Sequence, residues 1–241
     1  MSTFSAAIRE IREEATGIKT FVVDRPDDFT FMPGQYCWIS IPQYKAAPMA
    51  IASGNTDTTL EFSIRAWGEL TTALFELAVG DQIDLDGPYG SAFPMEAVTN
   101  GRNIHMIAGG TGITPIRSLT RSLKEKGNKR IYYGAKNPGE LLYLSELNQW
   151  PGTIFLTVDE GDDSWKGKVG LVTTLLEELQ FQSDDLFFVC GPKPMEAAVT
   201  EFLLKQPNIQ RDNIYVSLEK FDDEGKVVGP VLPVTHTQVS F

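Results

Sequence analysis

Near Asn100-Gly101 the apolar residues change their spacing, and the change divides the chain into two unlike halves. Before it lie short runs of β type at residues 4–15, 17–24, 35–41, 49–53, 59–66 and 81–86. Leu60, Phe62 and Ile64 alternate with Glu61, Ser63 and Arg65, the period of two that marks a half-buried strand. Pro33-Gly34, Ser53-Gly54-Asn55 and Asp86-Gly87-Pro88 punctuate these runs as turns. Six such strands predict a small antiparallel β-barrel over residues 1–99, with a single helix at about residues 71–77. After Gly101, apolar strands at residues 104–108, 130–134, 153–158, 186–190 and 214–218 alternate with amphipathic helices at 115–126, 140–149, 171–180 and 193–205. That alternation predicts a doubly wound, five-stranded parallel sheet over residues 100–220, with its ligand at the carboxyl ends of the strands. Residues 221–241 read as a tail.

Composition narrows the chemistry. Cys37 and Cys190 are the only cysteines, too few for a four-cysteine zinc site or iron–sulfur cluster. The net charge of −11, of which −8 falls on residues 1–99, disfavours nucleic acid and anionic membranes as partners. The first residues lack the basic and apolar regions of a secretory signal, and no stretch approaches the ~18 apolar residues of a membrane span. The chain therefore reads as cytoplasmic, where a Cys37–Cys190 disulfide between two domains is not expected. His105 in a strand and His236 in the tail show no metal-ligand spacing, so no metal site is expected.

Two segments carry chemistry. The first βα turn reads Ala108-Gly109-Gly110-Thr111-Gly112-Ile113-Thr114-Pro115. Glycines after a strand let a phosphate approach the backbone, and the helix that follows offers N–H groups and a positive dipole end. Thr114 fits the N-cap and Pro115 the first helical position. Pro115 stands where the G-x-G-x-x-G fingerprint has its third glycine, so a turn without a ligand stays open as the plainer reading. Near the carboxyl end of another strand comes Val189-Cys190-Gly191-Pro192-Lys193-Pro194-Met195, which puts a thiol at the expected cleft. A cysteine that merely fills the core is the competing account.

In this order, the segments resemble those of the ferredoxin–NADP reductase superfamily, in which an FAD-binding barrel precedes an NAD(P)-binding α/β domain. Gly109 to Pro115 is similar to its pyrophosphate turn, and Cys190-Gly191-Pro192 with Met195 to its Cys-Gly-Pro-x-x-Met motif beside the nicotinamide. Asp86-Gly87-Pro88-Tyr89-Gly90 and Pro33-Gly34-Gln35-Tyr36 match two barrel segments. Tyr133-Gly134-Ala135-Lys136, Val158-Asp159, Lys168-Val169-Gly170 and Val216-Ser217-Leu218-Glu219 resemble the branch containing the dihydroorotate dehydrogenase electron-transfer subunit and the sulfhydrogenase gamma subunit. Those relatives carry a [2Fe–2S] cluster on four cysteines after the last strand; residues 219–241 of this chain contain none.

The resemblance implies site residues. On the nicotinamide side these are Gly109, Gly110, Thr111, Gly112, Thr114, Pro115, Lys136, Asp159, Gly191, Pro192 and Met195, with Cys190 placing the reacting ring. On the flavin side the family's Arg-x-Tyr/Phe-Ser aligns with Ala47-Pro48-Met49-Ala50, which lacks the arginine, the aromatic and the serine. Pro48, Met49, Ala50, Ile51, Ala52 and Ser53 would then hold the flavin through their backbone. Gly68, Thr71 and Thr72 resemble the second phosphate turn, and Arg65 is the candidate replacement for the arginine; a strand arginine paired to a carboxylate is its alternative. Phe241 is the aromatic expected to cover the flavin, with a solvated tail as the plainer reading. The implied activity is hydride transfer from NAD(P)H to FAD and electron transfer onward to an acceptor that the sequence does not identify. A reductase of free flavin and an electron-transfer or regulatory subunit of a larger complex are the alternatives.

Overall fold

In a computed structural model, the described residues are 2–217 and 231–233. Six antiparallel strands form the first sheet: β1 (Ser2–Ala15), β2 (Ile18–Asp24), β3 (Tyr36–Ser40), β4 (Ala47–Ala50), β5 (Thr59–Arg65) and β6 (Gln82–Tyr89). Their order is β4-β3-β6-β1-β2-β5. Just past β4, the Ala52 N–H donates to the Glu61 carbonyl of β5 at 2.8 Å, so the two ends of the order meet and the sheet curls into a barrel. Leu60, Phe62 and Ile64 point inward to join Ile8, Phe21, Ile39 and Leu85 in one core, as the period of two requires. Each such fully buried side chain contributes about 1.5–3 kcal/mol. Helix α1 (Glu69–Leu74) leans on this core through Leu70 and Leu74.

The second sheet contains β7 (Asn103–Gly109), β8 (Asn128–Ala135), β9 (Thr153–Val158), β10 (Lys168–Val169), β11 (Leu186–Cys190), β12 (Ile214–Ser217) and β13 (Val231–Pro233), in the order β10-β9-β8-β7-β11-β12-β13. The five expected strands are present. β10 adds a sixth parallel strand, and β13 adds an antiparallel one within the expected tail. The chain crosses over after β8 and again after β9 and β10, and returns beside β7 as β11, which creates a topological switch between β7 and β8 on one side and β11 on the other. A crevice opens at such a switch, outside the carboxyl ends of the strands.

Two of the four expected helices form, α2 (Ile113–Leu123) and α3 (Lys193–Leu204). The other two are replaced by short 3-10 turns at Pro138–Glu140, Leu147–Gln149 and Val172–Leu175. Leu141, Leu142 and Tyr143 are buried in succession, and Tyr143 has φ of +61°, so the chain lies flat in the core instead of presenting one helical face. The α2 start also differs from expectation: Gly112 is the N-cap, and Thr114 and Pro115 fall in the first helical turn. Pro115 is tolerated there because first-turn N–H groups lack helical partners in any case.

The two sheets are joined by a polar seam. Arg117 of α2, 1% exposed, pairs with Glu61 of β5 at 3.0 Å and with Glu146, and lies over the Tyr143 ring. Burial works against its charge, but the hydrogen bond to Glu146 and the field of Glu61 outweigh burial and hold its pKa up. The Tyr143 hydroxyl bonds Ser63 of β5, and the Ser118 hydroxyl donates to the Ser53 carbonyl at 2.7 Å. No helix among the described residues is long and apolar enough to cross a membrane.

Candidate active site

A cleft of about 840 Å³ opens where the barrel meets the carboxyl ends of the parallel strands. The barrel contributes Ala47, Pro48, Met49 and Ala50 of β4, Arg65 at the end of β5, and Gly68 and Thr71 at the start of α1. The sheet contributes Gly109, Thr111, Gly112, Thr114 and Pro115 from the turn after β7, and Cys190, Gly191 and Pro192 from the end of β11. Fifteen positions singled out in the sequence thus converge on one concave surface from segments far apart in the chain.

On the sheet side, packing dictates the sequence of the two turns. A Cβ on Gly112 would strike the Cys190 carbonyl, and one on Gly109 would strike the Met195 sulfur. Gly191 likewise has the Met195 methyl 2.6 Å from where its Cβ would sit. Met195 itself does not line the cleft; it fills the space under both turns and sets how closely they approach. Gly110 has φ of +53° and open space around it, so its glycine answers to backbone conformation. The result is a narrow groove of bare backbone at the start of α2, a surface suited to an anionic linker.

On the barrel side, β4 is the last strand of its sheet. Among the described residues it pairs with β3 alone, through Tyr36↔Ala50, Cys37↔Met49, Trp38↔Pro48 and Ile39↔Ala47. An edge with free peptide groups and short side chains offers donors and acceptors to a flat heterocycle without an aromatic or serine side chain. At α1, the Thr71 hydroxyl accepts the N–H groups of Trp67 at 2.9 Å and Gly68 at 2.8 Å, so it caps the turn from inside. Arg65 reaches the cleft while its Nη2 bonds Glu140 at 2.9 Å. The carboxylate pairing weighed for it is present, and its side chain also lines the cleft. These residues fit a flavin nucleotide; the missing arginine at Ala47 is the one weak point.

Other expected positions lie off the cleft. Ile51, Ala52 and Ser53 are fully buried, and the carbonyls of Ala52 and Ser53 accept bonds from Arg117 and Ser118. That segment is engaged in the seam and does not line the cleft. Thr72 is exposed on α1, its N–H used in a helical bond to Gly68. Lys136 and Asp159 sit outside the cleft, past the carboxyl ends of β8 and β9, where the Asp159 N–H donates to the Ala135 carbonyl at 3.0 Å. Burial and then Glu160 raise the Asp159 pKa, with Lys136 opposing. Phe241 lies outside the described residues.

The structure adds residues that sequence reasoning passed over: Tyr36, Lys45, Trp67, Lys193 and Glu196 also line the cleft. Trp67, 90% exposed at its mouth, adjoins Gly68 and could have been flagged on that ground. Glu196, one residue after Met195, is 2% exposed, and its Oε1 accepts the Gly191 N–H at 3.1 Å. Cys190 is half-buried at the cleft, whereas Cys37 is buried in the barrel core, where burial and then Asp86 push its thiol up to about 12. Both cysteines are free thiols. Among the described residues no group of His, Cys, Asp or Glu could hold a metal ion.

Residues 106–201 match the oxidoreductase NAD-binding domain family. The chain is 32% identical to a probable dihydroorotate dehydrogenase B (NAD(+)) electron transfer subunit of Methanocaldococcus jannaschii, over 93% of this chain and 87% of that relative. It is 29% identical to the sulfhydrogenase 2 subunit gamma of Pyrococcus furiosus, over 90% and 84% of the two chains. Among solved structures, the ferredoxin reductase in carbazole 1,9a-dioxygenase superposes with a TM-score of 0.76 at 25% identity, covering 89% of this chain and 68% of that one. The fold, the converging motifs and these likenesses agree: the chain belongs to the ferredoxin–NADP reductase superfamily of flavin-dependent NAD(P)H oxidoreductases.

Proposed function

We propose that the barrel, residues 1–99, holds FAD and that residues 100–220 bring NAD(P)H to it, so that the chain reduces an acceptor protein at the expense of NAD(P)H. The observation that carries this reading is the single cleft lined by β4 and α1 on one wall and by the β7 and β11 turns on the other. Bound FAD supplies hydride acceptance and release of electrons in one or two steps. The chain supplies geometry. The peptide edge of β4 orients the flavin, Gly68 and Arg65 face its phosphates, and the groove at Gly109–Gly112 takes the dinucleotide pyrophosphate. Cys190 bounds the reacting face and excludes water from it. The seam through Arg117 holds the two walls at a fixed separation, which a hydride donor and acceptor need.

A protein acceptor is supported by the relatives' designation as electron-transfer or gamma subunits. The cysteines of this sequence are Cys37 and Cys190, too few for a four-cysteine cluster, so on this reading electrons leave the flavin by direct contact with the acceptor or by another route. A second reading, flavin as an exchangeable substrate, is favoured by one observation: Ala47 lacks the family's guanidinium, and Arg65 shares its charge with Glu140. Gel filtration of the purified protein separates the two. Stoichiometric FAD in the protein peak supports the reductase; a colourless peak that oxidises NADH only with added flavin supports the exchangeable reading.

A further inference from the structure

Glu196 is a carboxylate in an unusual place. It stands in the first turn of α3, almost wholly buried, yet its side of the helix forms part of the cleft wall beside Cys190 and Gly191. An isolated buried carboxylate is costly, so a charged one needs compensation on the spot. Here the Gly191 N–H donates to Oε1 at 3.1 Å, and the positive end of α3 lies at the same turn. Both act on the segment that carries Cys190. The bond also fixes Gly191, whose neighbour Cys190 already abuts Gly112 across the groove.

We propose that Glu196 is a positioning and specificity residue, which pins the Cys190–Pro192 turn and gives the nicotinamide end of the cleft a fixed negative charge that favours the oxidised, cationic nicotinamide over the reduced, neutral one. The proposal rests on the reading that the nicotinamide lies at Cys190. The two forms of the ring differ by one unit of charge and hardly at all in shape. A carboxylate in a half-enclosed wall therefore discriminates between them by Coulomb attraction, which at an effective dielectric near 20 is worth about tenfold in relative affinity even at a separation of about 12 Å. Such a charge stabilises positive charge as it develops on the ring during hydride departure, and it also slows release of the oxidised product. The other acid on the cleft, Glu69, stands at the opposite wall on α1, and the cations Lys45 and Arg65 stand with it. Lys193, exposed at the start of α3, is the nearest in sequence of the opposing charges.

The test is equilibrium binding of NAD+ and of NADH to the flavin-loaded protein by calorimetry, without turnover. Glu196→Gln keeps an oxygen for the Gly191 N–H and removes the charge. The expected result is an NAD+ Kd about tenfold weaker with the NADH Kd changed by less than about twofold. Glu196→Asp keeps the charge and shortens the reach; both Kd values should weaken together, with their ratio kept. Glu201→Gln, on the exposed face of the same helix, should change neither. Equal weakening of both ligands by Glu196→Gln, or no change, would overturn the proposal while leaving the nicotinamide site standing. Failure of the unaltered protein to bind either ligand would instead overturn the site reading, and this inference with it.

Discussion

The Arg117 guanidinium donates from Nη1 to the Ala52 carbonyl at 3.1 Å, tying the helix that rises from the glycine turn to the chain leaving β4. One side chain thus links the two walls of the cleft. Replacing Arg117 by Met leaves Glu61 and Glu146 without this partner in the seam. Breaking a buried ion pair from one side costs about 3–5 kcal/mol, which urea unfolding would read. A loss below about 1 kcal/mol, the scale of a surface pair, would show that the seam is not buried as described.

Gly112 has φ of −61°, which any residue adopts, so a substitution there acts through space alone. Gly112→Ala drives a methyl into the Cys190 carbonyl and the Gly191 backbone, forcing the two turns apart. NADH binding should weaken about tenfold or more, in keeping with the sensitivity of bound geometry to shifts of about 1 Å. Gly68→Ala is the contrast, since its Cβ would find only the Thr71 hydroxyl at 4.0 Å. That variant should bind NADH as the unaltered protein does.

His105 is fully buried at the amino end of the parallel sheet, between Asp185 at 3.1 Å and the Tyr132 hydroxyl at 3.2 Å, and stacked on Phe187. Burial lowers its pKa to about 4, outweighing the opposite pull of Asp185. The folded value lies below the ordinary one of 6.5, so the unfolded chain binds the extra proton. The stability linked to this group is present above about pH 6.5 and is lost as pH falls towards 4, by roughly 2–3 kcal/mol. The fall in Tm between pH 6.5 and 4.5 should be shallower in His105→Gln; an unchanged slope would contradict the assignment.

Arg65 faces the cleft and also pairs with Glu140. Arg65→Ala should cut FAD affinity by about tenfold, the scale of a charge-assisted phosphate bond. Glu140→Gln breaks the ion pair and leaves the guanidinium in place, so FAD affinity should hold or rise. Equal losses in both variants would assign Arg65 to the seam alone. Quenching of flavin fluorescence on titration reads both.

The strands and the site turns were legible because their signals are local. Alternation in Leu60 to Arg65 and the glycines at 109, 110 and 112 state their needs within a few residues. The missing helices were not, because tertiary contacts decide them: Tyr143 is held by Ser63 and Thr114, far away in the chain, and Val172 packs on Gly134. The bonds that the Ala52 and Ser53 carbonyls accept from Arg117 and Ser118 are likewise set by tertiary contact. Glu196 carried no local signal, as its burial depends on how α3 docks beneath the β11 turn.

The proposed function requires that one cleft serve flavin and nicotinamide together. It is tested most directly by mixing the FAD-loaded protein with NADH, and separately NADPH, without oxygen in a stopped-flow instrument. The flavin's visible absorption should bleach with a rate that saturates in at least one of the two nucleotides. Stoichiometric bound FAD that neither nucleotide bleaches would contradict it.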